Sequence, residues 1–230
     1  MTAMSVTHVR VIGADWSTEE RKRGVAVVDF EGDAVSLVNL ATCNARHTAL
    51  QLIGESIAAR TPALIAIDAP LGWPEGLSCA LVPHAAGEQL QVHADAMFSR
   101  ETDHFVKKQL RSRPPLEVGA NLIARTAHSA NAFLAELRAE TGYPIPLLWS
   151  PGELRDVGAI EVYPAATRRT VTFDSASAAL GLSVSPTNVH VQDALWCVLA
   201  GAHFLRGECH QPLNEVSSRR EGWIWFRRST

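Results

Sequence analysis

The chain has 230 residues, of which 47% are hydrophobic and 20% charged, a balance that excludes a largely disordered protein. A formal charge of −3 excludes a protein that coats nucleic acid by charge alone. Any such contact must be local.

In chain order, Val9 to Ala14 is apolar and ends at Asp15. Gly24 to Phe30 and Ala34 to Leu40 follow, the last two separated by the turn Glu31-Gly32-Asp33. This pattern predicts a three-stranded meander. Leu50, Ile53 and Ile57 share one face of a predicted helix from about Arg46 to Arg60. Ala63 to Ile67 is wholly apolar, as in a strand buried on both faces, and ends at Asp68. Two prolines in Ala69 to Pro74 then forbid regular structure.

Residues 74–158 read as a largely helical insertion. Its second half includes a helix from about Leu116 to Thr141, stopped by Gly142. Ala159 to Tyr163 predicts a strand carrying Glu161, and Ala165 to Leu180 a helix. Ser185-Pro186 suits the start of a strongly apolar helix that reaches Arg206 and stops at Gly207. Trp223 to Phe226 is a last strand or packing arm. The whole is one α/β domain with a mixed sheet flanked by helices.

Asp15 and Asp68 each follow an apolar strand, and ligands gather beyond the carboxyl ends of strands in such sheets. Asp193 shares a helical face with Trp196, Cys197, Ala200 and Phe204, whereas Gln192, His203 and Arg206 form the polar stripe. A carboxylate aimed at apolar surroundings needs a partner, a hydrogen bond or a metal. An arginine partner or a loop-capping role is the structural alternative. Glu161 is a fourth candidate, with a solvent-facing edge-strand position as its alternative. Glu55 falls away from the apolar helix face and is assigned to solvent.

Several carboxylates at one point suit Mg2+ or Mn2+, hard cations that prefer oxygen ligands. Paired ions can activate water and stabilise a leaving oxygen in phosphodiester hydrolysis. Without metal, the same cluster repels itself. On this reading Asp15 is the chief or bridging ligand. Asp68 and Asp193 complete the shell, and Glu161 binds metal or orients water.

The order of an Asp after the first strand, an Asp after the fourth and an Asp on a late helix resembles the ribonuclease H-like superfamily. Ile12-Gly13-Ala14-Asp15-Trp16-Ser17, Ile67-Asp68-Ala69-Pro70-Leu71-Gly72, Arg100-Glu101-Thr102-Asp103, Ile160-Glu161-Val162-Tyr163-Pro164 and Asp193-Ala194-Leu195 look like successive blocks of the domain of unknown function 429 family. Gly222-Trp223-Ile224 extends the match. The resemblance implies an RNase H-like fold and a metal-dependent nuclease-type site at Asp15, Asp68, Glu161 and Asp193. The chain departs from ribonuclease H in lacking a core-facing glutamate on its first helix.

Ser17, Arg100, Asp103, Arg111 and His190 are the candidate substrate contacts. Ser17 begins a hairpin that could grip phosphate, or is an ordinary turn residue. Arg100 contacts phosphate, with Arg111 or Arg113 nearby, or pairs structurally with Asp103 at i+3. His190 shuttles a proton or touches substrate, or is a half-buried structural histidine. Trp16 and Trp73 stack on a base or pack in the core.

The expected function is a metal-dependent nuclease. The alternatives are an ATP-dependent phosphotransferase of the actin-like class and a non-catalytic nucleic-acid-binding or scaffold protein with a relic site. Cys43, Cys79, Cys197 and Cys209 lack zinc-knuckle or redox spacing and suit a reducing, cytoplasmic setting. A signal peptide and a membrane span are not expected. The expected partners are a nucleic-acid substrate and, optionally, a second copy in a homodimer.

Overall fold

A computed structural model describes residues 8–32, 34–110, 115–119, 123–170, 172, 178, 186 and 188–228. The strands are β1 (His8–Asp15), β2 (Gly24–Glu31), β3 (Ala34–Thr42), β4 (Ala63–Asp68), β5 (Val157–Val162) and β6 (Ile224–Trp225). They form one sheet in the order β3-β2-β1-β4-β5-β6. The first three are antiparallel neighbours, as the meander predicts. β4 runs parallel to β1, β5 to β4 and β6 to β5. This mixed sheet, flanked by helices, is an α/β fold consistent with the RNase H-like type.

The helices are α1 (Ala49–Ala59), α2 (Glu75–Leu81), α3 (Ala94–Phe98), α4 (Glu101–Leu110), α5 (Ile123–Thr141), α6 (Pro164–Thr167), α7 (Val189–Leu205) and α8 (Glu215–Glu221). Helices α2 to α5 lie between β4 and β5. Among the described residues, no helix is long and apolar enough to cross a membrane.

Strand side chains alternate between faces. Val9, Val11, Leu64, Ala66, Ile160 and Val162 pack on the face that α7 covers. Ile12, Ala14, Ile65, Ile67, Val157 and Ala159 pack on the other, under α1 and α5. The result is a three-layer stack.

Helix α7 lies unusually close to the sheet. A β-carbon added to Gly13 would sit 2.0 Å from the Ala194 carbonyl oxygen. One added to Gly24 would sit 2.1 Å from that of His190. These two glycines let the first turns of α7 settle directly over the ends of β1 and β2.

Several helix boundaries differ from those the sequence predicts. Helix α1 begins three residues later than expected, because Thr48 and Gln51 form a reciprocal cap. Residues 115–119 are not helical, so within the described chain α5 begins at Ile123; it stops at Gly142, whose φ is +73°. Of the helix expected over 165–180, most of 171–180 lies outside the described residues, and the described part is α6, which ends at Thr167. There the hydroxyls of Thr167 and Thr170 donate back to backbone carbonyls, which competes with helix propagation. Helix α7 starts at Val189 rather than near Pro186, because the Asn188 side chain accepts from the His190 and Val191 amides. Ser185 lies outside the described residues. His203, assigned to the polar stripe, is buried and bonded to Glu208 at 2.6 Å.

The close approach of α7 predicts that Gly13→Ala destabilises the fold by about 3 kcal/mol through overpacking. Urea unfolding should show a lowered midpoint with an unchanged slope. A midpoint equal to that of the parent would mean that α7 does not press on β1.

Candidate functional site

Asp15 and Asp68 are register partners at the carboxyl ends of β1 and β4. Each continues the parity of the residues that face α7: Val9, Val11 and Gly13 on β1, Leu64 and Ala66 on β4. Both carboxylates therefore leave the sheet on the α7 side. Two acids on adjacent parallel strands must lie close, since neighbouring strands are about 4.8 Å apart.

Helix α7 brings its own polar residues to the same place. His190, Asp193 and Cys197 recur at helical spacing on the face turned to these strand ends. The His190 Nδ1 is 2.7 Å from Asp15 Oδ2. The Cys197 thiol donates to the Ala14 carbonyl at 3.6 Å. Asp193 forms an ion pair with Arg168, the residue that caps α6. Arg168 also lies within electrostatic reach of Asp15 and Asp68. Sequence reasoning missed Arg168, since no local pattern distinguishes it from a surface arginine.

The electrostatics follow from this crowding. Burial pushes the Asp15 carboxyl above its ordinary value, against the opposing pull of His190 and Arg168. Burial pushes Asp68 well up, and the Asp15 and Glu161 carboxylates push it further. No described residue hydrogen-bonds or ion-pairs with the Asp68 carboxylate. Burial likewise raises the Cys197 thiol, with Asp68 and Asp15 adding to the effect. Cys197 is therefore an inert core thiol rather than a nucleophile.

Glu161 is placed differently from the sequence expectation. It pairs in register with Ile67 and so points to the face opposite Asp15 and Asp68. It is also not on an edge, because β5 lies between β4 and β6. Arg100 grips it with two bonds of 2.8 and 2.9 Å, and the Leu71 amide donates to it at 2.9 Å. The other side of Arg100 donates to both Asp103 carboxylate oxygens, at 3.0 and 2.9 Å. A fifth bond runs to the Glu221 carbonyl at 3.1 Å. All five guanidinium N–H groups are thus committed.

Arg100 is 1% exposed and remains charged. Burial opposes that charge, but Glu161 and Asp103 together lift its pKa above the ordinary arginine value. As placed, it has no donor left for phosphate, and the Asp103 carboxylate accepts from both the side chain and the backbone amide of Arg100. The structural alternative for this pair is the one observed. Glu221 extends the network: its carboxylate accepts from the Glu75 and Glu101 amides at 2.7 and 2.9 Å. It ties α2, α4 and α8 together beside the sheet.

The remaining candidates divide. The Ser17 hydroxyl accepts from the Glu19 amide at 3.2 Å and shapes its own turn. Arg111 and Arg113 lie outside the described residues. Trp16 is buried, packed against Phe133 at 4.4 Å, with Arg23 at 3.9 Å over its ring. Trp73 is 36% exposed. Glu55 is exposed, as expected.

Among the described residues, no three acidic, histidine or cysteine side chains stand ready to hold a metal ion. The reason is visible in the partners: Arg168 engages Asp193, and Arg100 engages Glu161. What remains is the pair of Asp15 and Asp68. Two carboxylates are a fitting donor set for magnesium, which usually binds through one or two and keeps water and substrate oxygens as its other ligands.

The family model described as "Protein of unknown function (DUF429)" matches residues 13–176. The chain belongs to this family. No curated protein and no solved structure matches. The DUF429 segment carries Asp15, Asp68, Arg100, Glu161 and Arg168 and ends before α7, which supplies His190 and Asp193.

Two predictions follow from the charge arrangement. Arg100→Met leaves two buried carboxylates without their cation and should cost about 3–5 kcal/mol in urea unfolding; a change under about 1 kcal/mol would show the network to be dispensable. Asp68 binds its proton more tightly folded than unfolded. Its contribution therefore falls as pH rises past the ordinary value of 3.8 towards the raised folded value, and is flat above it. With divalent cations chelated, Asp68→Asn should melt above the parent at neutral pH, the gap closing towards pH 3.8. A variant that melts lower at neutral pH would contradict this.

Proposed function

We propose that the protein is a hydrolase of phosphodiester bonds in nucleic acid, dependent on Mg2+ or Mn2+ held by Asp15 and Asp68. The observation that carries this reading is the register pairing of these two acids on one face, with the Asp68 carboxylate bonded to none of the described residues. Crowding two carboxylates lowers stability unless something cationic joins them. Such cost without structural return is expected of a site kept for chemistry.

When bound, the ion would polarise a phosphoryl oxygen and make a water acidic enough to attack at neutral pH. The protein's own groups have separable tasks. Asp15 and Asp68 hold the cation from adjacent strand ends. The His190 ring, bonded through Nδ1, orients Asp15, and its Nε2 can accept a proton from water or return one to the leaving oxygen. Arg168 is partly exposed at this edge and supplies positive charge for a substrate phosphate. Asp193 aims the Arg168 guanidinium rather than ligating metal itself. Glu161, held by Arg100 on the far face, adds negative potential at Asp68 and leaves cation binding to the Asp pair.

The test is cleavage of labelled single- and double-stranded RNA and DNA by the purified chain with Mg2+ or Mn2+. Asp15→Asn and Asp68→Asn should each fall to background while keeping the fold. His190→Ala should lose on the order of 10- to 100-fold, as for a group that orients a ligand. Asp15→Asn cutting as fast as the parent would remove the proposal.

A further inference from the structure

A cavity of about 270 Å³ lies beside the aspartate pair, on the β5 side of Asp68. Its floor is the end of the sheet: Asp68 at the end of β4 with Ala69 and Pro70 beyond it, Val162 at the end of β5 with Tyr163 beyond it, and Ile224 of β6. Its roof comes from the insertion, through Leu116 and then Ile123 and Thr126 on the first turn of α5. His190, Asp193 and Arg168 do not line this cavity, and Asp68 is the residue it shares with that side of the site.

The chemistry of the lining restricts the occupant. Among the described residues that line it, the one cation is Arg100, and its N–H groups are all committed to Glu161, Asp103 and the Glu221 carbonyl. Asp68 and Glu161 both border the space as acceptors. Against the described lining, an anion such as phosphate would therefore meet two carboxylates and no available positive charge. The rest of the wall is apolar or aromatic, with the Thr126 hydroxyl as a neutral polar group. A neutral, flat ligand that carries N–H donors fits these walls. The volume falls just below the roughly 300–1,000 Å³ of pockets for drug-sized ligands, so it takes one ring system rather than a stretch of polymer.

We infer that this cavity is a nucleobase subsite, which receives one unstacked base while its phosphate lies outside, towards Asp15 and Arg168. The choice of a nucleotide as occupant rests on the phosphodiester reading above. The consequence is a preference for single-stranded or locally opened substrate, because a base inside a duplex cannot enter without leaving its stack. Asp68 stands at the boundary between the base and the cation, which ties base entry to placement of the phosphate.

The experiment compares binding of adenosine 5′-monophosphate and ribose 5-phosphate to the full chain by calorimetry, with and without Mn2+. The two probes share the phosphate and differ in the base. Adenosine monophosphate should bind at least about tenfold more tightly, the range that stacking one base supplies. Ile123→Trp, which fills the cavity, should bring its affinity down to that of ribose 5-phosphate. Leu116 is 60% exposed, so Leu116→Glu tests the same wall without burdening the core if the tryptophan variant fails to fold. Equal affinity for both probes, absence of binding, or a base preference that survives in a folded variant overturns the inference. A base preference without any cleavage would instead sink the hydrolase reading and leave the cavity standing. Asp15-dependent cleavage without a base preference would do the reverse.

Discussion

Two like charges that end neighbouring parallel strands on the same face repel each other, and the surroundings of this sheet edge are arranged around that repulsion. The Asp15 carboxylate has His190 at 2.7 Å, whereas Asp68 has no described partner. Arg168 lies close enough to moderate both, yet its ion pair is with Asp193. The arrangement reduces the repulsion without cancelling it. A small cation with a demand for oxygen ligands would complete it, which is why the proposed chemistry begins there.

This pair depends on how α7 packs. Gly13 and Gly24 remove the two β-carbons that would hold the helix off the sheet. Its amino-terminal turn then descends over the strand ends, and Asn188 fixes where that turn begins. Small residues at the contact thus translate directly into the placement of a histidine and an aspartate more than 170 residues from Asp15 along the chain. Packing and function share one cause here.

A second charge network, on the opposite face, has another task. Arg100 joins Asp103, Glu161 and the Glu221 carbonyl, so it links α4, β5 and the end of α8 through one guanidinium. Breaking such a buried network costs more than forming it contributes, because the abandoned charges have no water. It binds the insertion to the sheet and leaves the Arg100 guanidinium beside the neighbouring cavity with no free donor.

The sequence alone was enough to read the meander, the buried strand before Asp68 and the apolar late helix, because periodicity and strand-ending acids are local signals. It marked Asp15, Asp68, Asp193 and His190 as residues of interest for the same reason. It could not decide which acids share a face. That depends on strand parity and register, and a shift of one residue sends Glu161 from the Asp68 side to the Arg100 side. Nor could it pair Arg168 with Asp193 or saturate Arg100, since ion pairs between distant segments form only when packing brings them together. The residue types were written locally, whereas their partners, and hence their chemistry, were decided by tertiary contacts.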